Sequence, residues 1–209
     1  MKADARRATR ERVGVFGGTF DPPHIGHLAL AEWARVRLSL DRVLFVPAGT
    51  PPHKRTRGLS PARDRIAMTR LAVRDNSAFE VSTLETRRRG PSYTADTVRV
   101  LAAERPDARL WLLMGADMFE TFAQWVRPEE ILAYATIAVA LRPGARAPHS
   151  TRWSRVGRGV DWLDNPGLEV SSSVIRSRAA RGRSVRYLVP DAVARFVERR
   201  GLYRSRSAA

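Results

Sequence analysis

The chain has 209 residues, of which 44% are hydrophobic, and this length and composition favour a single globular domain of the α/β class. It contains no cysteine, which excludes disulfide bonds and thiolate metal sites. No apolar run is long enough to span a membrane, and the basic first 12 residues lack the apolar stretch of a secretion signal. We therefore expect a cytoplasmic protein with no membrane partner.

The net charge is +16, because 37 lysines and arginines outnumber 21 acidic residues. A surplus of this size suits a protein that binds nucleotide phosphates or nucleic acid. The arginines are nevertheless spread along the whole chain, and several stand next to acidic residues, as in residues 198–200. Most of them are therefore expected on a solvated surface, and we expect no nucleic-acid partner.

Apolar runs and helix-spaced segments alternate along the chain. Residues 1–11 are expected to form a flexible basic extension, followed by one domain at 12–203 and a flexible tail at 204–209. Continuous apolar runs predict strands at 13–16, 43–47, 79–82, 110–114 and 136–141. Helical spacing predicts helices at 24–38, 61–74, 93–104 and 128–134, the second with Ser60 as its N-cap and Pro61 in its first position.

This alternation predicts a Rossmann-like, doubly wound and mostly parallel sheet with helices on both faces. Residues 142–159 are rich in Arg, Pro and Gly and are expected to form a long, mobile connection. A short strand pair is predicted at 160–163 and 168–170, before the C-terminal helices. In such sheets ligands bind at the carboxyl ends of the strands, which is where the turn at 17–27 and Gly115 stand.

The first strand leads into the turn Gly-Gly-Thr-Phe-Asp-Pro-Pro-His-Ile-Gly-His at residues 17–27. Its glycines let backbone approach a ligand closely, and Thr19 and Asp21 are expected to bond local amides. The helix that opens near His24 offers free N–H groups and a positive dipole end to an anion, with His24 and His27 on one face. Two imidazoles beside a phosphate-sized site indicate phosphoryl or nucleotidyl chemistry. The spacing excludes a Walker loop and the three-glycine dinucleotide fingerprint.

A second anion site is predicted near the end of the chain. The run Ser-Ser-Ser-Val-Ile-Arg at residues 171–176 is first of all a helix-capping sequence. Its amides and hydroxyls also suit an anion, and Arg176 lies on the same helix, within reach of a phosphate.

Both stretches carry a resemblance to one superfamily. Residues 24–27, His-Ile-Gly-His, resemble the HxGH signature of the nucleotidyltransferases. The serine run resembles their ISSTxxR-type signature, with Val170 for isoleucine and Ser173 for threonine. The longer form of the first turn looks like that of the bacterial nicotinate mononucleotide adenylyltransferases. This resemblance, over about residues 13–203, implies that ATP and nicotinate mononucleotide react to give nicotinate adenine dinucleotide and pyrophosphate. It also implies Mg²⁺ accompanying ATP and no metal site on the protein.

The resemblance further implies roles for individual residues. It points to ATP binding by Gly17, Gly18, Thr19, Phe20, His24, His27, Ser172, Ser173 and Arg176. It points to mononucleotide binding by His53, Lys54, Tyr93, Thr94, Gly115, Asp117, Trp125 and Val126. The backbone at Thr94 and the amide of Val126 would receive the nicotinate carboxylate, and Trp125 would stack on the pyridine. The catalytic groups implied are His24, His27, Lys54 and Arg176, which stabilise charge on the phosphates during in-line transfer.

Two alternatives remain open at this point. A sister enzyme that adenylates phosphopantetheine or transfers cytidylate would share both signatures, but it gives no reason for Ser92-Tyr93-Thr94 or Trp125. A basic nucleic-acid-binding protein would explain the charge, but not two anion sites at strand and helix ends. The preference for nicotinate mononucleotide over its amide, nicotinamide mononucleotide, rests on the resemblance alone. The enzymatic interpretation requires the two distant stretches to meet.

Overall fold

The computed structural model of the protein describes residues 10–51, 58–141, 144–147, 159–165 and 167–204. Six parallel strands form one sheet in the order β3-β2-β1-β4-β5-β6. The strands are β1 Arg12–Gly18, β2 Arg42–Pro47, β3 Phe79–Val81, β4 Arg109–Gly115, β5 Ala135–Ala140 and β6 Val160–Leu163. The predicted doubly wound parallel sheet is therefore confirmed.

Helices cover both faces of this sheet. They are α1 Ile25–Arg37, α2 Ala62–Val73, α3 Leu84–Arg87, α4 Thr94–Glu104, α5 Ala116–Glu120, α6 Pro128–Tyr134, α7 Ser172–Ala180 and α8 Asp191–Arg199, with a 3₁₀ turn at Phe122–Gln124. Helix α6 has the predicted bounds, and each of the five strands predicted upstream of residue 142 has its counterpart. Among the described residues, no helix is both long and apolar enough to cross a membrane.

The core consists of one apolar layer on each face and a third cluster behind α2. Residues of α4 and α6 pack on one face of the sheet, and residues of α1 and α2 pack on the other. The third cluster joins Met68 of α2 to Ile175 of α7 and Val193 of α8. Each fully buried side chain of this kind contributes about 1.5–3 kcal/mol to folding. The third cluster thus secures the two C-terminal helices against the body of the sheet.

Two predictions about local structure are wrong. Residues 168–170 form no strand, because Val170 N–H donates to the carbonyl of Leu168 at 2.7 Å and closes a tight turn instead. Helix α2 begins at Ala62 with Pro61 in the N-cap position, and no side chain caps it. The backbone of Ser60 is engaged elsewhere, since its N–H donates to Asp21 and its carbonyl accepts from Arg65.

The predictions for residues 1–9, 142–143, 148–158 and 205–209 lie outside the described residues, as do those for His53 and Lys54. Glu11, just before β1, is held by the sheet. Its carbonyl accepts from Arg109 N–H at 2.7 Å, and its carboxylate pairs with Arg42 and Arg105.

The strand order fixes where a ligand can enter. The chain moves from β1 outward to β3, then crosses back so that β4 lies on the other side of β1. The helices that follow β1 and β4 therefore diverge to opposite faces, and a crevice opens between the carboxyl ends of these strands. The turn after β1 and the segment after Gly115 both lie at this edge, as the sequence predicted.

Candidate functional site

The turn between β1 and α1 forms the floor of the crevice. A Cβ built on Gly17 would have no heavy atom within 4 Å, so the end of β1 faces open space. Phe20 has a left-handed φ of 49°, and its ring is only 1% exposed. That ring lies edge-on to the ring of His27, with centroids 5.1 Å apart. Any contact between Phe20 and a ligand would therefore run through its backbone, while its ring supports His27.

His24 and His27 are stacked at the start of α1. Their ring centroids are 3.6 Å apart with an interplanar angle of 27°. The N–H of His24 donates to Nδ1 of His27 at 3.1 Å, so Nδ1 is an acceptor and the neutral ring carries its proton on Nε2. This tautomer places the N–H donor of His27 on Nε2.

His24 is the more buried of the two, with 6% of its surface exposed. Burial lowers its pKa to about 4, so the ring is neutral at pH 7. Its Nδ1 is buried and has no hydrogen-bond partner among the described residues. A Cβ on Gly26 would come within 3.1 Å of that nitrogen, which explains why a glycine stands between the histidines. An unpartnered buried nitrogen beside a helix N-terminus is what a ligand group would satisfy.

The serine run packs directly on this turn. Ser171 caps α7, because its Oγ accepts from Val174 N–H at 3.3 Å. Ser172 Oγ donates to the carbonyl of Pro22 at 2.9 Å, and Arg176 Nη1 donates to the carbonyl of Asp21 at 2.8 Å. The predicted meeting of the two distant stretches is therefore confirmed. Ser173 is exposed, with its Oγ 3.0 Å from that of Ser171.

Asp21 does not bond local amides as predicted. Its fully buried carboxylate accepts from Ser60 N–H at 3.1 Å and from the hydroxyl of Tyr203 at 2.7 Å. The prediction was wrong because the side chain points down into the protein, where segments far away in the sequence supply the donors. No local pattern marks Tyr203 as such a partner.

Arg65 was also missed by the sequence interpretation. It is 2% exposed and donates to three loop carbonyls, those of Ser60 at 3.1 Å, Thr19 at 3.0 Å and Gly49 at 3.3 Å. Burial lowers the pKa of its guanidinium, and the carboxylate of Asp21 opposes that shift. The available signal was an arginine on the same helix face as buried Met68. Arg65 ties the loops after β1 and β2 together beneath the crevice.

The proposed mononucleotide half of the site begins at α4. Thr94 is the first residue of that helix and Tyr93 its N-cap, both partly buried. Ser92 is buried, and its Oγ accepts from Gly49 N–H at 3.2 Å. A Cβ on Gly49 would collide with the carbonyl of Glu85, so only glycine allows this close approach. The Ser-Tyr-Thr segment is thus fixed against the loop after β2.

The remaining predicted residues follow β4. Gly115 ends that strand next to open space, and Asp117 is exposed in the first turn of α5. Trp125 ends the 3₁₀ turn in an extended conformation. Its ring packs edge-on against Phe122, with centroids 5.6 Å apart, and Val126 beside it is 40% exposed.

The loop that bears Trp125 is joined to α4. Arg127 has a left-handed φ of 56°, and its guanidinium donates to Asp96 at 2.7 Å. Asp96 lies in the first turn of α4, two residues after Thr94. The ion pair therefore holds the two segments that the sequence associates with the pyridine ring in one arrangement.

Comparison with known proteins agrees with this geometry. The family model described as cytidylyltransferase-like matches residues 15–178, which include both signature stretches. The chain is 44% identical to a probable nicotinate-nucleotide adenylyltransferase of Thermomicrobium roseum, over 93% of this chain and 92% of the relative. It is 45% identical to a protein of the same description from Exiguobacterium sibiricum, over 92% and 98%.

Solved structures share the fold at lower identity. A nicotinic acid mononucleotide adenylyltransferase of Plasmodium falciparum complexed with NaAD has a TM-score of 0.77 at 15% identity, covering 92% of this chain and 97% of that one. A putative nicotinate-nucleotide adenylyltransferase from Vibrio parahaemolyticus has a TM-score of 0.69 at 20% identity, covering 93% and 96%. These likenesses concern the fold.

Proposed function

The chain belongs to the cytidylyltransferase-like family, and from that membership we propose that it is a nicotinate-nucleotide adenylyltransferase. It would transfer the adenylyl group of ATP to nicotinate mononucleotide, giving nicotinate adenine dinucleotide and pyrophosphate. Relatives of that description match more than nine-tenths of the chain at above 40% identity, which supports the substrate assignment.

One observation carries the proposal. Hydrogen bonds from Ser172 and Arg176 to the carbonyls of Pro22 and Asp21 join α7 to the turn at residues 17–27, the histidine turn. Two helix N-termini, two imidazoles and a guanidinium then surround one crevice at the switch point of the sheet. Such a set of donors suits the several oxygens of a triphosphate, since each site alone offers too few.

The reaction requires the protein mainly to position the two substrates and to stabilise charge on their phosphate groups. A 5′-phosphate oxygen of the mononucleotide attacks the α-phosphorus of ATP, and the bond from that phosphorus to the oxygen bridging it to the β-phosphorus breaks. Pyrophosphate leaves with the bonding electrons. The nucleophile is already an anion, so no general base is needed. Catalysis then rests on holding two anions in line and stabilising charge on the α- and β-phosphate oxygens.

We assign that stabilisation to four side chains. His27 would donate from Nε2, the nitrogen left protonated by its bond with His24 N–H. His24, neutral at pH 7, would donate as a polar group without placing a charge against the stacked ring of His27. Arg176 uses one N–H on Asp21 and would present the others to the phosphates. Lys54, outside the described residues, keeps its role from sequence resemblance alone.

ATP would arrive as its magnesium complex, with the ion held by phosphate oxygens and water. The nearest carboxylate on the histidine turn, Asp21, has both oxygens engaged by Tyr203 and Ser60, so it does not suit a metal. Mg²⁺ would therefore enter the site as part of the substrate.

The acceptor would lie toward β4. We assign the nicotinate carboxylate to the backbone N–H of Thr94, at the N-terminus of α4, and to the amide of Val126, since a helix start favours an anion. Trp125 would stack on the pyridine ring. We assign the rest of the mononucleotide to Tyr93, Gly115, Asp117 and His53, the last of which lies outside the described residues.

The decisive experiment measures pyrophosphate release by the purified protein. ATP with nicotinate mononucleotide should give a kcat/KM at least about tenfold above ATP with nicotinamide mononucleotide or phosphopantetheine, or CTP with any of these acceptors. Mass spectrometry should identify the dinucleotide in step with pyrophosphate. A higher kcat/KM with phosphopantetheine, or none above background with nicotinate mononucleotide, would reject the proposal.

A further inference from the structure

The C-terminal turn, residues 200–204, reaches back under the histidine turn. Arg200 donates to Asp64 of α2 at 3.0 Å, which fixes the end of α8 on that helix. The backbone then turns through two left-handed residues, Gly201 with φ of 58° and Tyr203 with φ of 67°. An aromatic residue rarely adopts this conformation, so surrounding contacts must stabilise it. Its consequence is that the Tyr203 hydroxyl meets the buried carboxylate of Asp21 at 2.7 Å.

Asp21 is the residue at which four segments converge. Its side chain accepts from Tyr203 and from Ser60, and its backbone carbonyl accepts from Arg176. The next carbonyl along the chain, that of Pro22, accepts from Ser172. The side chain of Asp21 therefore binds the C-terminal turn, while its backbone binds the guanidinium of Arg176 and leads into the start of α1. A rotation of this residue would move both.

We propose that Tyr203 is a positioning residue for adenylyl transfer, acting through Asp21 on the placement of Arg176 and of the two histidines. This proposal rests on the proposed function of the same crevice. Tyr203 is not among the residues we assign to substrate, and it lies beyond residues 15–178, which the family model matches. Its effect would be transmitted over one hydrogen bond and one residue of backbone.

The environment of the hydroxyl supports a role beyond filling space. Burial, together with the neighbouring Asp21, raises the pKa of Tyr203, so the hydroxyl stays protonated and donates at every working pH. A buried carboxylate that loses a donor is costly. Two guanidinium groups lie near Asp21, those of Arg65 and Arg176, and a rotation of the carboxylate toward Arg65 would draw that group away from the loop carbonyls that it bridges.

The test removes only the hydroxyl. Tyr203→Phe keeps the ring packed against the third core cluster, which contains Met68, and removes the hydroxyl that lies 3.8 Å from the sulfur of that residue. We expect kcat for ATP and nicotinate mononucleotide to fall about tenfold, with both KM values within about twofold of wild type, because substrate contacts remain while the reacting geometry loosens. Wild-type kcat in Tyr203→Phe would overturn the proposal.

Arg200→Gln is the matched control. It breaks the other anchor of the same turn and leaves Asp64 without that partner, yet it does not touch Asp21. We expect it to lower the melting temperature at least as much as Tyr203→Phe while kcat stays within about twofold of wild type. An equal loss of kcat in both variants would show general anchoring of the C-terminus and would overturn the positioning role.

A second readout does not depend on the reaction. The chain has four histidines, so the ring ¹⁵N resonances of His24 and His27 can be followed separately by NMR. Tyr203→Phe should shift these two and leave the other two in place, whereas Arg200→Gln should shift none of them. If wild-type protein made no dinucleotide, the proposed function would fail and this measurement would still decide the positioning. Unmoved resonances in Tyr203→Phe would overturn it in either case.

Discussion

Substituting alanine for Gly26 separates the activity of the histidine turn from its stability. Gly26 lies in the first turn of α1, between the two histidines. A new Cβ would lie 3.1 Å from His24 Nδ1 and 3.3 Å from its Cε1, contacts that require a shift of a few tenths of an ångström. The His24 ring has little room to yield, because it is buried and already stacked on His27 at 3.6 Å.

Backbone energetics work in the opposite direction. Alanine is better than glycine in a helix by up to about 1 kcal/mol, and less in the first turn. We therefore expect the free energy of unfolding of Gly26→Ala to stay within about 1 kcal/mol of wild type. The imidazole shift should lower kcat about tenfold, since a misplacement of 1 Å in an active site costs about a hundredfold.

Urea unfolding and initial rates of pyrophosphate release measure the two effects in the same preparation. Val36→Ala, at an exposed position of the same helix, raises helix propensity without approaching the histidines and should keep wild-type kcat. A Gly26→Ala enzyme within twofold of wild-type kcat would refute the reasoning that glycine is required to leave room for His24.

Three further predictions concern the same crevice. His27→Ala should lower kcat by at least about a hundredfold while circular dichroism shows an intact fold, and a wild-type rate would remove His27 from the chemistry. Trp125→Ala should raise KM for the pyridine nucleotide more than KM for ATP, and equal increases would contradict stacking. The pKa of His24 is 6.5 in the unfolded chain and about 4 in the folded protein, so the unfolded chain binds more protons below pH 6.5 and stability decreases as the pH is lowered. Urea titrations at pH 7.5 and 5 should show wild type losing about 2 kcal/mol more than His24→Gln, and equal losses would argue against a buried neutral ring.

Much of the fold followed from local patterns. Strands buried on both faces read as continuous apolar runs, and β4 and β5 were recognisable for that reason. The strand predicted at residues 168–170 is absent. The alternating sequence Leu-Glu-Val is typical of a strand, but the backbone forms a tight turn there. The prediction of Ser60 as an N-cap failed because its backbone groups are engaged by Asp21, 39 residues away, and by Arg65.

The site was predictable where its chemistry is contiguous. The histidine turn and the serine run each contain a recognisable sequence motif, and the fold brings the two motifs to the same edge of the parallel sheet. Arg65 and Tyr203 were not predictable in this way, because Arg65 binds Thr19, 46 residues away, and Tyr203 binds Asp21, 182 residues away. Nothing in a local window distinguishes a tyrosine near the C-terminus that packs from one that donates to a buried carboxylate.

The histidine turn therefore contains two kinds of residue, and only one kind faces the crevice. Gly17 borders open space, and His27 carries its N–H donor on Nε2, whereas Phe20 and Asp21 are buried. The ring of Phe20 supports His27, and the carboxylate of Asp21 receives donors from two other segments. A short sequence signature can thus specify its own scaffold as well as its chemistry. The role of its inward-facing residues depends on distant partners. The carboxylate of Asp21, for example, binds Tyr203 and Ser60 and not its neighbours in sequence.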